Sequence, residues 1–110
     1  MNRYTIYCTA EQTKKALELG APIEYGNDFY HKDYGTLALP TAEQLIGWLR
    51  TQGYTPYTYP VTKDGQDVLS ARLLIQNKGG STDIFCGFGK DYTIILAAID
   101  KALKYLSNKK

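Results

Sequence analysis

The apolar positions of this 110-residue chain change period along its length, and each change marks an element. Thr9 and Gln12 stand three apart ahead of Ala16, Leu17 and Leu19. In that spacing a threonine hydroxyl and a glutamine amide cap each other's backbone at a helix start. A helix is predicted over residues 10–19, with Ala10, Ala16, Leu17 and Leu19 as its apolar stripe and Gly20 and Pro22 as its stop. A second box, Thr41 and Gln44, opens a helix over 42–52 that ends at Gly53. Its stripe of Ala42, Leu45, Ile46 and Leu49 follows i, i+3, i+4, i+7 spacing, and Trp48 widens it. A last helix is predicted over 92–107, capped by Asp91, with Ile95, Ala98, Ile99, Ala102, Leu103 and Leu106 on one side.

Between the second and third helices the period drops to two. Strands are predicted over 54–61, 68–76 and 82–88, joined by tight turns at Asp64-Gly65 and Gly79-Gly80. Pro56 and Pro60 lie four apart, so their missing N–H groups point the same way and the first strand has to be an edge. Arg3 to Cys8 alternates weakly and predicts a short N-terminal strand that adds to the sheet. Residues 21–39 show no period. The aromatic Tyr25, Phe29, Tyr30 and Tyr34 sit there with His31, among glycine, asparagine and aspartate. A segment of that length is expected to lie packed over the surface, with one or two short strands of its own. The fold class is therefore α+β: one domain over residues 1–110, with a three-stranded antiparallel meander and three helices packed mainly against one face.

Two-residue turns fix the faces of the sheet. The first turn pairs Tyr59 with Ser70 and Tyr57 with Arg72; the second pairs Ile75 with Ile84, Leu73 with Cys86 and Ala71 with Phe88. Leu69, Ala71, Leu73, Ile75, Ile84, Cys86 and Phe88 then form the core face. The opposite face presents Tyr57, Tyr59, Arg72, Leu74 and Phe85 together. Either the 21–39 segment or the first helix covers those residues, or they form an interface with another subunit or protein.

Composition favours contact over chemistry. Ten tyrosines accompany one histidine and two cysteines, and tyrosine is a stiff, amphipathic contact residue. Catalysis normally draws on histidine, activated cysteine or clustered carboxylates. His31 as the centre of a small enzyme is the least favoured reading, since a surface loop histidine is the ordinary case. Cys8 and Cys86 fit no ligand spacing, so no metal is expected; they are read as free thiols in a reducing cytoplasm. No cofactor motif is present. Gly87 to Asp91 precedes a helix and could greet an anion, but it lacks the spacing of a phosphate loop, and Asp91 would occupy the same N–H groups. No apolar run approaches the roughly 18 residues of a membrane span, and no membrane partner is expected. The net charge of +2 is small for a polyanion binder. Single-stranded nucleic acid stays as the alternative partner, with Tyr57, Tyr59 and Phe85 stacking bases while Arg72 and Lys78 hold phosphates. A protein partner or self-association is the first expectation.

Three stretches carry a resemblance: Glu11 to Gly20, Pro40 to Gln44 with Trp48-Leu49-Arg50, and Ala97 to Leu106. In these the chain resembles an uncharacterised family of small proteins from anaerobic gut bacteria and their phages. The resemblance implies a phage-related or mobile-element accessory protein and carries over no catalytic or binding residue.

Overall fold

The computed structural model describes residues 5–22, 28–32 and 35–109, and residues 28–32 and 35–38 by their backbone alone. The elements run α1 (Ala10–Glu18), β1 (Asp28–Lys32), β2 (Gly35–Leu39), α2 (Ala42–Thr51), β3 (Tyr54–Lys63), β4 (Gln66–Asn77), β5 (Gly80–Gly89) and α3 (Ile95–Lys109), with one 3-10 turn, Tyr92–Ile94, ahead of α3. This is an α+β arrangement. β3-β4-β5 form an antiparallel meander, and β1-β2 form a separate antiparallel hairpin within the segment that lacked a period.

Both capping boxes close. Gln12 N donates to Thr9 Oγ1 and Thr9 N to Gln12 Oε1, each at 3.0 Å. Thr41 and Gln44 repeat the pattern at 2.9 and 3.1 Å. α1 ends as expected at Gly20, whose φ of 99° lets Ala21 N reach back to Ala16 O at 2.9 Å.

The buried side of α1 differs from the expected stripe. Leu17 is exposed, while Gln12, Thr13 and Ala16 are buried. Two polar residues go inside because their polar atoms are used there. Thr13 Oγ1 donates to Thr9 O at 2.9 Å, and Gln12 Nε2 donates to Leu96 O at 3.0 Å and to Asp100 Oδ1 at 2.7 Å, joining α1 to α3.

α3 lies across β3, β4 and β5, α2 packs on β3 and α3, and α1 packs on α3 and β2. The core joins Ala71 and Leu73 of the sheet to Leu45 and Leu49 of α2 and to Ile95, Ala98, Ile99 and Ala102 of α3. Of the expected N-terminal strand residues 5–8 are described, and they make one bridge, Tyr7 to Thr41. Cys8 N donates to Pro40 O at 2.9 Å and Ala42 N to Ile6 O at 2.7 Å. These described residues pair with the entry to α2, since both partner positions there flank the α2 cap.

Candidate functional site

The meander presents one face to the helices, and α1, α2 and α3 leave the other free. Its register follows from its turns. Asp64 and Gly65 both have positive φ, 53° and 77°, the geometry of a two-residue hairpin turn whose twist suits the strands. Tyr57 therefore pairs with Arg72 and Tyr59 with Ser70, as expected. Pro56 and Pro60 sit opposite Leu73 and Leu69 on β3, which is an edge strand.

The second turn differs from expectation. It spans Lys78-Gly79, because Asn77 pairs with Gly80. The pairing moves by two residues, so Leu73 meets Ile84 and Ile75 meets Thr82, and each of these side chains keeps its face. A bulge follows: Ala71 pairs with Gly87 and Arg72 with Phe85, which leaves Cys86 as the extra residue. Beyond it the parity reverses. Phe88, expected on the core face, pairs with Ser70 on the outer face instead.

The outer face is thus built of cross-strand rows. One is Tyr57, Arg72 and Phe85; the next is Tyr59, Ser70 and Phe88; Leu74 with Asp83 and Val61 with Val68 flank them. Tyr59, Phe85 and Phe88 are 57%, 45% and 44% exposed. Tyr57, Arg72 and Leu74 are half-buried. Of the two covers considered from sequence, α1 lies on the helical side, packed against α3, and β2 packs against α1.

Polar contacts organise this face. Asp83 accepts from Tyr57 Oη at 2.6 Å and from Arg72 Nε at 3.1 Å. The hydrogen bond to Asp83 raises the Tyr57 pKa above the usual phenol range, and the same carboxylate holds Arg72 further toward its charged form. Arg72 stands 5.9 Å from the Phe85 ring centre and Lys63 5.3 Å from that of Phe88. The two phenyl rings meet at 4.8 Å, tilted by 56°, a separation favourable for aromatic pairs. Lys63 also contacts Asp64 at 3.3 Å. Beneath the rings Ser70 is 2% exposed, and its hydroxyl has no hydrogen-bond partner among the described residues.

Phe29, Tyr30 and His31 lie on β1 opposite Ala38, Leu37 and Thr36, with their side chains outside the description. Tyr25 and Tyr34 lie outside the described residues. Lys78 is in the β4–β5 turn, exposed. Asp91 caps the 3-10 turn, accepting from Thr93 N at 3.0 Å, so its own carboxylate takes the N–H considered for an anion. Sequence reasoning missed Lys63, Asp83 and Phe88. The available signal was Gly87, a glycine inside a strand, which often marks a bulge.

Among the described residues no group of three or more His, Cys, Asp or Glu side chains is placed to hold a metal ion, and no helix is long and apolar enough to cross a membrane. A groove of about 350 Å³ runs between α1 and α3 past Glu11, Lys15, Asp100 and Lys104, all exposed. Its buried polar side chain, Gln12, is already committed to Thr9, Leu96 and Asp100. No family model, curated protein or solved structure matches the chain.

Proposed function

We propose that this chain is a non-enzymatic accessory protein that works by contact, and that the outer face of its sheet is the surface that meets a protein partner. The observation that carries this reading is the placement of Tyr59, Phe85 and Phe88, all exposed, on the sheet face that α1, α2 and α3 leave free. Water-exposed aromatic clusters of this kind are costly to keep unless they are used. Tyrosine, phenylalanine and arginine are also the side chains enriched where proteins meet. A role in phage or mobile-element biology rests on the sequence resemblance alone.

Base stacking is the competing use of the same rings. The charge pattern argues against it. Arg72 is held by Asp83 and Lys63 by Asp64, so phosphates would have to displace two carboxylates to gain two cations. Affinity for a nucleic-acid backbone comes largely from free cations releasing counterions.

Photo-crosslinking in cells separates these uses. A benzophenone amino acid at Tyr59 is expected to give protein adducts, and the same probe at Tyr105 on α3 none. Adducts that ribonuclease or deoxyribonuclease removes would transfer the face to nucleic acid. Equal labelling from both positions, or none, would end the proposal.

A further inference from the structure

We infer that the partner of the outer sheet face is a second copy of this chain, packed sheet on sheet about a two-fold axis. This rests on the reading of that face as a protein contact surface. Three observations select a copy of the same chain.

The first is charge. An isologous interface sets a patch against itself, so the patch must tolerate its own charges. This face carries Arg72 with Asp83 and Lys63 with Asp64, two cations and two anions already matched in pairs. A partner of strong single sign gains nothing from such a surface, whereas an identical surface meets it without excess charge.

The second is size. Strands of ten residues or more at ~3.3 Å per residue, three abreast at ~4.8 Å, make a flat footprint of roughly 33 by 14 Å. That is about 460 Å² when flat, and the relief of tyrosine and phenylalanine side chains brings it toward the ~800 Å² per partner of a stable interface.

The third is the row order. A two-fold axis running across the strands, midway between the Tyr57–Arg72–Phe85 row and the Tyr59–Ser70–Phe88 row, sets each row over the other row of the second copy. Phe85 then faces Phe88 and Tyr57 faces Tyr59. Arg72 lies over the Ser70 position of the second copy, away from its own symmetry mate. An axis along β4 would instead stack Arg72 on Arg72.

Sedimentation of the purified wild-type chain tests this directly, with a dimer expected at ~100 μM. Phe85→Ser with Phe88→Ser, and separately Tyr59→Lys, should each weaken the dimer about thirtyfold or more, with circular dichroism unchanged. Tyr105→Ser should leave it intact. A wild-type monomer at that concentration overturns the inference whatever the variants do, and so does a dimer indifferent to Phe85, Phe88 and Tyr59. If protein adducts still form at Tyr59 in cells while the purified chain stays monomeric, the face serves a different protein and only the second copy is lost. If both fail, the contact reading falls with it.

Discussion

Gln12 offers a strong single-residue test of how the helical layer is held to itself. It is 4% exposed on α1, and its amide makes three contacts: Oε1 accepts from Thr9 N, while Nε2 donates to Leu96 O and to the Asp100 carboxylate at 2.7 Å. Gln12→Ala removes all three. A net hydrogen bond contributes about 0.5–1.5 kcal/mol, more when one partner is charged. Thr9 and Asp100 are exposed and regain water, so the loss should come to about 2 kcal/mol. At this chain length that lowers Tm by roughly 8–12 °C. Gln12→Glu keeps length and shape but turns the donor into a buried anion facing Asp100 and a carbonyl. An uncompensated buried charge costs about 3–5 kcal/mol, so at pH 7 this variant should be less stable than the alanine.

The pH sense separates the two variants. Burial and the neighbouring carboxylate raise the introduced carboxyl's pKa in the folded state above its unfolded value of about 4.3. The folded protein then binds the extra proton more tightly. The deficit is full at neutral pH and shrinks as pH falls through the raised pKa, the opposite of the usual loss of stability in acid. Urea unfolding followed by the single Trp48 at pH 7 and near pH 4.5 reads this. Gln12→Glu matching Gln12→Ala at pH 7, with no relative recovery in acid, would mean that the Gln12–Asp100 contact does not hold α1 to α3.

A Cβ on Gly89 would lie 2.6 Å from Ile94 Cβ, so Gly89→Ala should cost about 1–3 kcal/mol by overpacking; adding Ile94→Ala, which keeps that Cβ, should recover little of it in the same melts. Burial pushes the Cys8 thiol up to about 12, and burial also raises the half-buried Cys86 by a lesser route, with Lys101 and Arg72 opposing. In the folded protein at pH 8, Cys86 should therefore react with a disulfide reagent ahead of Cys8, as read by mass mapping; early modification of Cys8 would contradict its burial. Asp83→Asn should bring the Tyr57 ionisation down toward the usual phenol range, since the hydrogen bond to Asp83 is the leading cause of its upward displacement; an unchanged ultraviolet titration would mean that contact is not kept in solution.

Whatever depends on neighbours in sequence was readable. The capping boxes, the helix stops, the stripes of α2 and α3 and the Asp64-Gly65 turn involve residues within a turn or two of one another, and each appears in place. The β3–β4 register followed, because a two-residue turn with both φ positive leaves one pairing. Asn77-Lys78-Gly79-Gly80 was ambiguous, since either glycine can stand in a turn. The structure gives Gly80, with φ 141°, to the strand. The bulge at Cys86 escaped because it answers a tertiary demand: Gly87 and Gly89 must come close to Ile94, and a sequence does not display that approach. Its consequence is local but large, since a parity change moves Phe88 from core to surface. Gln12 and Thr13 were hidden for a related reason, as polar residues enter a core only where partners await them.

The edges of the sheet bear on why its face, and not a strand edge, is proposed as the contact surface. A bare strand edge invites pairing with another chain through its unpaired backbone groups. On β3, Pro56 and Pro60 remove two donors four residues apart from a ten-residue edge. On β5 the ladder is broken at Cys86, and the stretch beyond lies under Ile94 and the 3-10 turn. Neither edge presents a long, regular ladder, so strand addition would yield few hydrogen bonds for the order it demands. The face has the reverse character. Two of its rings, Phe85 and Phe88, rest against each other and near cations, which lowers the side-chain freedom they have to lose on contact, and stiff rings contribute most where they need not be reordered. Blocked edges with a pre-ordered face favour side-chain packing of one sheet upon another over extension of the ladder. A partner that bound by strand addition to β5 would reverse that argument.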